Sequence, residues 1–289
     1  MSYIIDQESK ERESVAIHRL LTTMPLRESL FGDVFSWFVM ELRFSTLGLE
    51  EEGEIDIIGG RSVPADDDAY RRACEAEVSQ WRPDAAPEFI RDMAERRFIA
   101  DGGLAWPPPT DLLIGVEVKC AYERGGEIKS AKTSPEKIRD LHKQLRRDMA
   151  LGLDIVYLVD IVANQPATGD GSDAWWHATN KAFATLDVAR QILTGRVPEG
   201  SPVGHWIWSV GAVIGGDESV RGAGGPVCLQ RPAQNPKTPA RARVETLLTQ
   251  RLAAIPRPRT CPVLLKDCRR CKTIHPFREG SEPNQDCLA

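Results

Sequence analysis

Ile114–Tyr122 reads IGVEVKCAY. Its β-branched and apolar residues mark a β-strand, yet Glu117 and Lys119 stand two positions apart within it. Residues i and i+2 of a strand project from one face, so these two charges are neighbours, and Val116, Val118 and Cys120 face the other way. Charges set into an apolar strand are costly to bury unless they are paired or used. A same-face ion pair at a strand edge is the plainest account of an E-x-K triplet. The surroundings of this one point further.

Upstream, GEIDII (Gly53–Ile58) sets Asp56 inside another β-branched run, which ends in Gly59-Gly60. If the two strands pair, Asp56 joins Glu117 and Lys119. Two carboxylates meeting at one point make a hard-oxygen site suited to Mg²⁺ or Mn²⁺. Such an ion polarises a phosphoryl oxygen and lowers the pKa of a bound water. A lysine beside it orients the water or offsets charge developing in the transition state. That combination suits hydrolysis of a phosphodiester bond.

The flanking segments frame these strands. Leu30, Phe31, Val34, Phe35, Phe38 and Leu42 recur at helical spacing, which predicts a buried helix over 27–44. Residues 62–105 read as a helical insert broken near Pro83, closed by the rigid loop DGGLAWPPPTD. Ser134-Pro135-Glu136 opens a helix that Gly152 ends. DIVYLVDIVA (154–163) has the continuous apolar character of a strand buried on both faces. A helix over 174–193, a strand over 205–216 and a helix over 241–255 follow, the last after a Gly/Pro-rich linker over 221–240. This order predicts an α/β fold, a mixed β-sheet flanked by helices.

GEIDII followed by GVEVK resembles the core of the PD-(D/E)XK, or restriction-endonuclease-like, nuclease superfamily. The resemblance covers residues 27–162 and implies a metal-dependent nuclease acting on DNA or RNA. It implies Asp56 and Glu117 as ligands to Mg²⁺ or Mn²⁺ and Lys119 as the catalytic lysine. Many members carry a Gln on the next helix, the place of Gln144 here. In RecB-like members that Gln continues into Q-x-x-x-Y, but residue 148 is Asp, so that subfamily is not matched. A further Glu from the first helix is Glu28 or Glu41, with Glu28 preferred for its distance upstream of Asp56. The gap of 61 positions from Asp56 to Glu117 exceeds the family's usual hairpin, so the insert must fold away. Asp111 competes as the acidic ligand, but it lies only six residues before Glu117 on the same strand. A non-catalytic member, using the fold to bind nucleic acid or a partner, is the alternative.

Charge is uneven. Residues 231–279 hold twelve Lys and Arg against three Asp and Glu, and Glu282 and Asp286 follow, which leaves residues 1–230 at −12 within a net charge of −5. An acidic body with a basic end suggests contact with a polyanion. Lys143, Arg146 and Arg147, at i, i+3 and i+4, share a helix face that suits phosphate contacts, as do Arg269, Arg270 and Lys272. Cys268-x2-Cys271 is the knuckle spacing that lets two thiolates share a Zn²⁺, and Cys261, His275 and Cys287 offer the remaining ligands. Free thiols are the plain alternative.

The expected division is a nuclease domain over 1–220, a linker over 221–240, and a basic helix with a zinc-knuckle-like tail over 241–289. With seven scattered cysteines a disulfide framework is not expected. No apolar run reaches the roughly 18 residues of a membrane span, and the charged start lacks an apolar signal region. A cytoplasmic protein is therefore expected, as a homodimer or as a subunit of a defence or repair complex.

Overall fold

The computed structural model describes residues 17, 20–21, 30–31, 35–50, 52–62, 72, 74–76, 78–80, 82–100, 106–107, 110–124, 127–129, 133–164, 167–168, 174–215, 218–255, 263–269 and 271–277. The fold class is α/β. Two compact units interleave along the chain. The first comprises residues 1–32 and 114–237, and the second comprises 33–113 and 238–289.

In the second unit, β1 (Phe35–Arg43) runs antiparallel to β2 (Glu54–Ser62). Here the expected helix over 27–44 is overturned for residues 35–43. The physical reason is double-sided burial: Trp37, Phe38, Val39, Met40 and Leu42 are all buried, so both strand faces are apolar. A run apolar on both faces satisfies helical spacing as easily as a helix does. Gly60 sits opposite Trp37, and any Cβ there would collide with the indole, which explains one glycine of the Gly59-Gly60 pair. Residues 110–113, the start of β3 (Thr110–Arg124), belong to this unit, where Arg61 of β2 grips Asp111 at 3.0 and 2.8 Å. Helical residues at 72, 74–76 and 78–80 and helix α1 (Pro87–Ala100), parted by a turn at 83–84, lie where a helical insert is expected. Cys74 and Val78 pack there with Ile90 and Ala94.

The C-terminal segment is not an appended tail. β9 (Val263–Asp267) runs parallel to β1, and β10 (Ile274–Pro276) returns antiparallel to β9. Asp267 is fully buried and accepts hydrogen bonds from the Arg43 backbone N–H at 2.9 Å, its Nε at 3.0 Å and its Nη2 at 2.7 Å. Helix α4 (Pro239–Ala253) begins at Thr238, whose hydroxyl caps Arg241 N–H, and buries Val244, Leu248 and Leu252. The chain passes from one unit to the other at 237–238, inside the range expected for a linker, and then re-enters the sheet that β1 started.

In the first unit, β3 pairs parallel with β5 (Ile155–Asn164), and β5 pairs parallel with β7 (Gly204–Gly215). β4 (Glu127–Lys129) returns antiparallel on β3, and β6 (Ala167–Thr168) lies parallel to β7. β8 (Glu218–Gln230) forms a long antiparallel hairpin with β7. The linker expected over 221–240 is thus wrong through Gln230. Glycine-rich sequence mimics a linker, yet Gly222 and Gly224 hold ladder positions opposite Gly211 and Ser209.

Two helices serve this sheet. α2 (Pro135–Ala150) starts at Ser134, whose Oγ accepts from Lys137 N–H, and Gly152 follows its end at φ 79°. α3 (Ala174–Leu193) packs Leu186, Ala189 and Leu193 against Ala121, Val162 and Ile207. No described helix is long and apolar enough to cross a membrane.

Candidate functional site

β3 delivers Glu117 and Lys119 as its alternation dictates. Val116 and Val118 anchor the strand in the core, and the two charges share the opposite face. Glu117 is 1% exposed and Lys119 is 7% exposed. Lys119 Nζ donates to Glu117 Oε2 at 3.0 Å and to the Val118 carbonyl at 3.2 Å. The second carboxylate oxygen, Oε1, is buried and accepts no hydrogen bond.

α2 contributes the other half of this cluster. Leu141, Leu145 and Asp148 fall at i, i+4 and i+7 and are the buried residues of the helix. Asp148 thus occupies a core position with its carboxylate 1% exposed. Arg147 spans the two acids, with Nη2 3.7 Å from Glu117 Oε1 and 3.3 Å from Asp148 Oδ1. Burial pushes the Glu117 carboxyl up, Lys119 opposes that, and Asp148 adds to it, so the group settles at about 7.

A second charged cluster lies on the same sheet face. Lys119 is in register with Asp160 on β5, and Leu158, two residues earlier, is in register with His205 on β7. Asp160 is held by Arg196 through Oδ1 and by His205 Nε2 through Oδ2 at 2.8 Å. All three residues are buried. His142 of α2 donates Nε2–H to the Arg196 carbonyl at 2.8 Å, which ties the helix to this turn.

Glu117 and Lys119 are therefore brought together as expected. Asp56 is buried on β2 in the second unit. Glu41 is also buried, but on β1 rather than on a helix. The pairs Met40–Ile57 and Leu42–Ile55 put Glu41 opposite Asp56 in the ladder, with its backbone at φ 51°. Lys266 of β9 reaches Glu41 at 3.3 Å. A left-handed residue inside a strand is uncommon and marks a site held by its surroundings. Glu28 lies outside the described residues. Asp111, the competitor to Asp56, is committed to Arg61. Gln144 is half-buried one turn before Asp148, and its side chain makes no hydrogen bond among the described residues.

The basic triplet divides. Lys143 and Arg146 are exposed, while Arg147 turns inward. Arg269 pairs with Glu54 at 3.2 Å, Lys272 is an exposed turn residue at φ 57°, and Arg270 lies outside the described residues. Of the cysteine knuckle, Cys268, Cys271 and His275 are described, and Cys261 and Cys287 are not. Cys271 Sγ lies 2.8 Å from His275 Nε2 and 3.0 Å from Thr273 Oγ1. Burial raises the Cys271 thiol, but hydrogen bonds with Thr273, His275 and Cys268 outweigh it and bring it down to about 6. Among the described residues no group of three or more His, Cys, Asp or Glu is arranged to hold a metal ion.

Sequence reasoning missed Asp148, Arg196 and His205. The signal for Asp148 was available: a lone charge on the apolar stripe of an amphipathic helix. Compared with known proteins, the chain matches no family model, no curated protein and no solved structure.

Proposed function

We propose that this protein is a divalent-cation-dependent nuclease that hydrolyses phosphodiester bonds of DNA. One observation carries the reading: Glu117 and Lys119 form a buried, hydrogen-bonded acid–lysine pair, and the acid keeps one oxygen without a donor. A carboxylate oxygen of that kind suits Mg²⁺ or Mn²⁺. The resemblance of GEIDII and GVEVK to the PD-(D/E)XK family adds Asp56 as the second ligand. A bound cation supplies Lewis acidity and a water of lowered pKa. The protein's own part is positional. Lys119 holds its ammonium against Glu117 and offsets negative charge gathering on the phosphoryl group. Arg147 is 27% exposed and can meet a phosphate while braced by Asp148. Lys143, Arg146, Arg269, Arg270 and Lys272 supply sequence-independent contacts to the strand backbone. Restriction, repair and phage defence all use such chemistry, in a homodimer or a larger complex and in the cytoplasm.

The test is Mg²⁺- or Mn²⁺-dependent cleavage of plasmid, linear and single-stranded DNA, with RNA in parallel. Lys119→Ala and Asp56→Ala should each lower turnover by about 10²–10³-fold, the scale of removing one group that stabilises the transition state. Wild-type protein that cuts nothing, or variants that cut equally well, would sink the reading. The second reading is a non-catalytic nucleic-acid- or partner-binding module. It is favoured by the charge balance around Glu117, where Lys119 and Arg147 already match Glu117 and Asp148. DNA binding without cleavage would select it.

A structural Zn²⁺ at the β9–β10 turn completes the proposal. Cys271 and His275 are in contact there, and Cys268 hydrogen-bonds Cys271, so soft thiolate and imidazole donors gather at one point. The fourth ligand would be Cys261 or Cys287. Stoichiometric zinc by elemental analysis, lost on deleting residues 261–289, is the expected result. Its absence from protein purified without chelator would refute it.

A further inference from the structure

We infer that Asp148 is a metal-ligating carboxylate that shares one divalent cation with Glu117. The inference rests on the nuclease reading for the class of cation, Mg²⁺ or Mn²⁺, and adds a ligand that the sequence pattern did not assign.

Three observations carry it. First, Asp148 stands where the helix pattern calls for an aliphatic residue, in line with Leu141 and Leu145, and its carboxylate is 1% exposed. Acids are rarely retained at such positions unless paired or ligating. Secondly, Arg147 places the two acids side by side, at 3.7 Å from Glu117 Oε1 and 3.3 Å from Asp148 Oδ1. Thirdly, no N–H or O–H donor reaches the buried Glu117 Oε1, Arg147 stands beyond hydrogen-bond range of it, and the Glu117 and Asp148 carboxyls are close enough to hydrogen-bond each other when one holds a proton. Two neighbouring buried carboxylates repel each other unless a proton or a cation lies between them. A hard cation satisfies the orphan oxygen and removes the repulsion together.

The site then draws ligands from β3 and α2 of one unit. Gln144, one turn earlier, makes none of these contacts. Asp148, not Gln144, would be the helix residue that prepares the strand for catalysis.

The experiment is a Mn²⁺ titration of the full chain, free ion being read by electron paramagnetic resonance, on wild type, Asp148→Asn and, as an exposed control on the same helix, Arg139→Ala. Wild type and Arg139→Ala should bind alike. Asp148→Asn should weaken binding by about 10–100-fold or more, the range known for disturbing even supporting residues of a metal site. Circular dichroism checks folding, and Asp148→Ser is read in the same way should the Asn variant not fold. If wild type binds Mn²⁺ and Asp148→Asn binds it equally, this inference is overturned while the nuclease reading stands. If wild type binds no Mn²⁺ and cuts no DNA, both fall. If wild type binds no Mn²⁺ and Asp148→Asn raises thermal stability, the two acids share a proton and the inference is wrong.

Discussion

Two charged clusters sit on one face of the β3–β5–β7 sheet, and their contents are nearly the same. Each has a buried acid from a strand and two basic groups. The Asp160 cluster is closed at its acid. Both carboxylate oxygens are engaged, by Arg196 and by His205, all three side chains are 3% exposed or less, and the one orphaned atom, Arg196 Nε, is a donor rather than an acceptor. The Glu117 cluster is open. One oxygen holds Lys119, the other has no donor, and Arg147 reaches solvent. An acid with both oxygens engaged has no acceptor left to offer a cation. One that leaves an acceptor orphaned beside a half-exposed cation does. The closed cluster holds the unit together, and the open one is where chemistry is expected.

The sharpest way to break this comparison is Arg196→Ala. It strands Asp160 with only His205 and leaves a buried carboxylate undercompensated. Removing one partner of a buried pair costs about 3–5 kcal/mol. Chemical denaturation should show a loss of that size. A change below about 1 kcal/mol would mean that the Asp160 network does not carry structure, and the contrast would collapse.

Glu117→Gln comes next, and it acts in the opposite sense. Burial lifts the folded carboxyl from 4.5 to about 7. Below pH 4.5 the group is protonated in both folded and unfolded chains and contributes no penalty. Between pH 4.5 and 7 the unfolded chain gives up its proton and the folded one keeps it, so stability falls as pH rises. Above pH 7 the penalty is complete, at most about 3 kcal/mol from the size of the shift. Gln mimics the neutral acid and has no such slope. Metal-free wild type and Glu117→Gln should therefore diverge in favour of the variant between pH 5 and pH 8. A difference that stays flat across that range would show that Glu117 is not held above its ordinary value.

Both clusters bear on what a sequence discloses. Glu117 and Lys119 were legible because strand alternation fixes their face, and Asp56 because an acid interrupts a short β-branched run. The helices α2, α3 and α4 were legible from caps and periodicity. β1 was not, because burial on both faces erases the period-2 signal. β8 was not, because its glycines look like loop. Arg196 and His205 lie 36 and 45 positions beyond Asp160, and nothing local marks residues that meet only when parallel strands come into register. Asp148 lies between these cases. Its place on the apolar stripe was visible, but its partner Glu117 is brought to it only by tertiary packing.

The smallest effect is expected from Lys143→Ala with Arg146→Ala, and it sharpens the comparison from outside. Sequence spacing groups these residues with Arg147, whereas the fold separates them. Lys143 pairs with Asp140 at 3.6 Å in full view of solvent, and among the described residues the Arg146 side chain bonds only to the His142 carbonyl of its own helix, at 3.1 Å. Exposed pairings of this kind hold a protein by a few tenths of a kcal/mol, so the double variant should melt within about 0.5 kcal/mol of wild type. Its place is on the nucleic acid. If the two side chains meet phosphates, DNA affinity should fall alike across sequences, and the salt dependence of binding should shallow by about one unit for each phosphate no longer neutralised. An unchanged slope would make Lys143 and Arg146 a solvated helix face, and Arg147 would then be the one basic residue of this helix whose position ties it to Glu117.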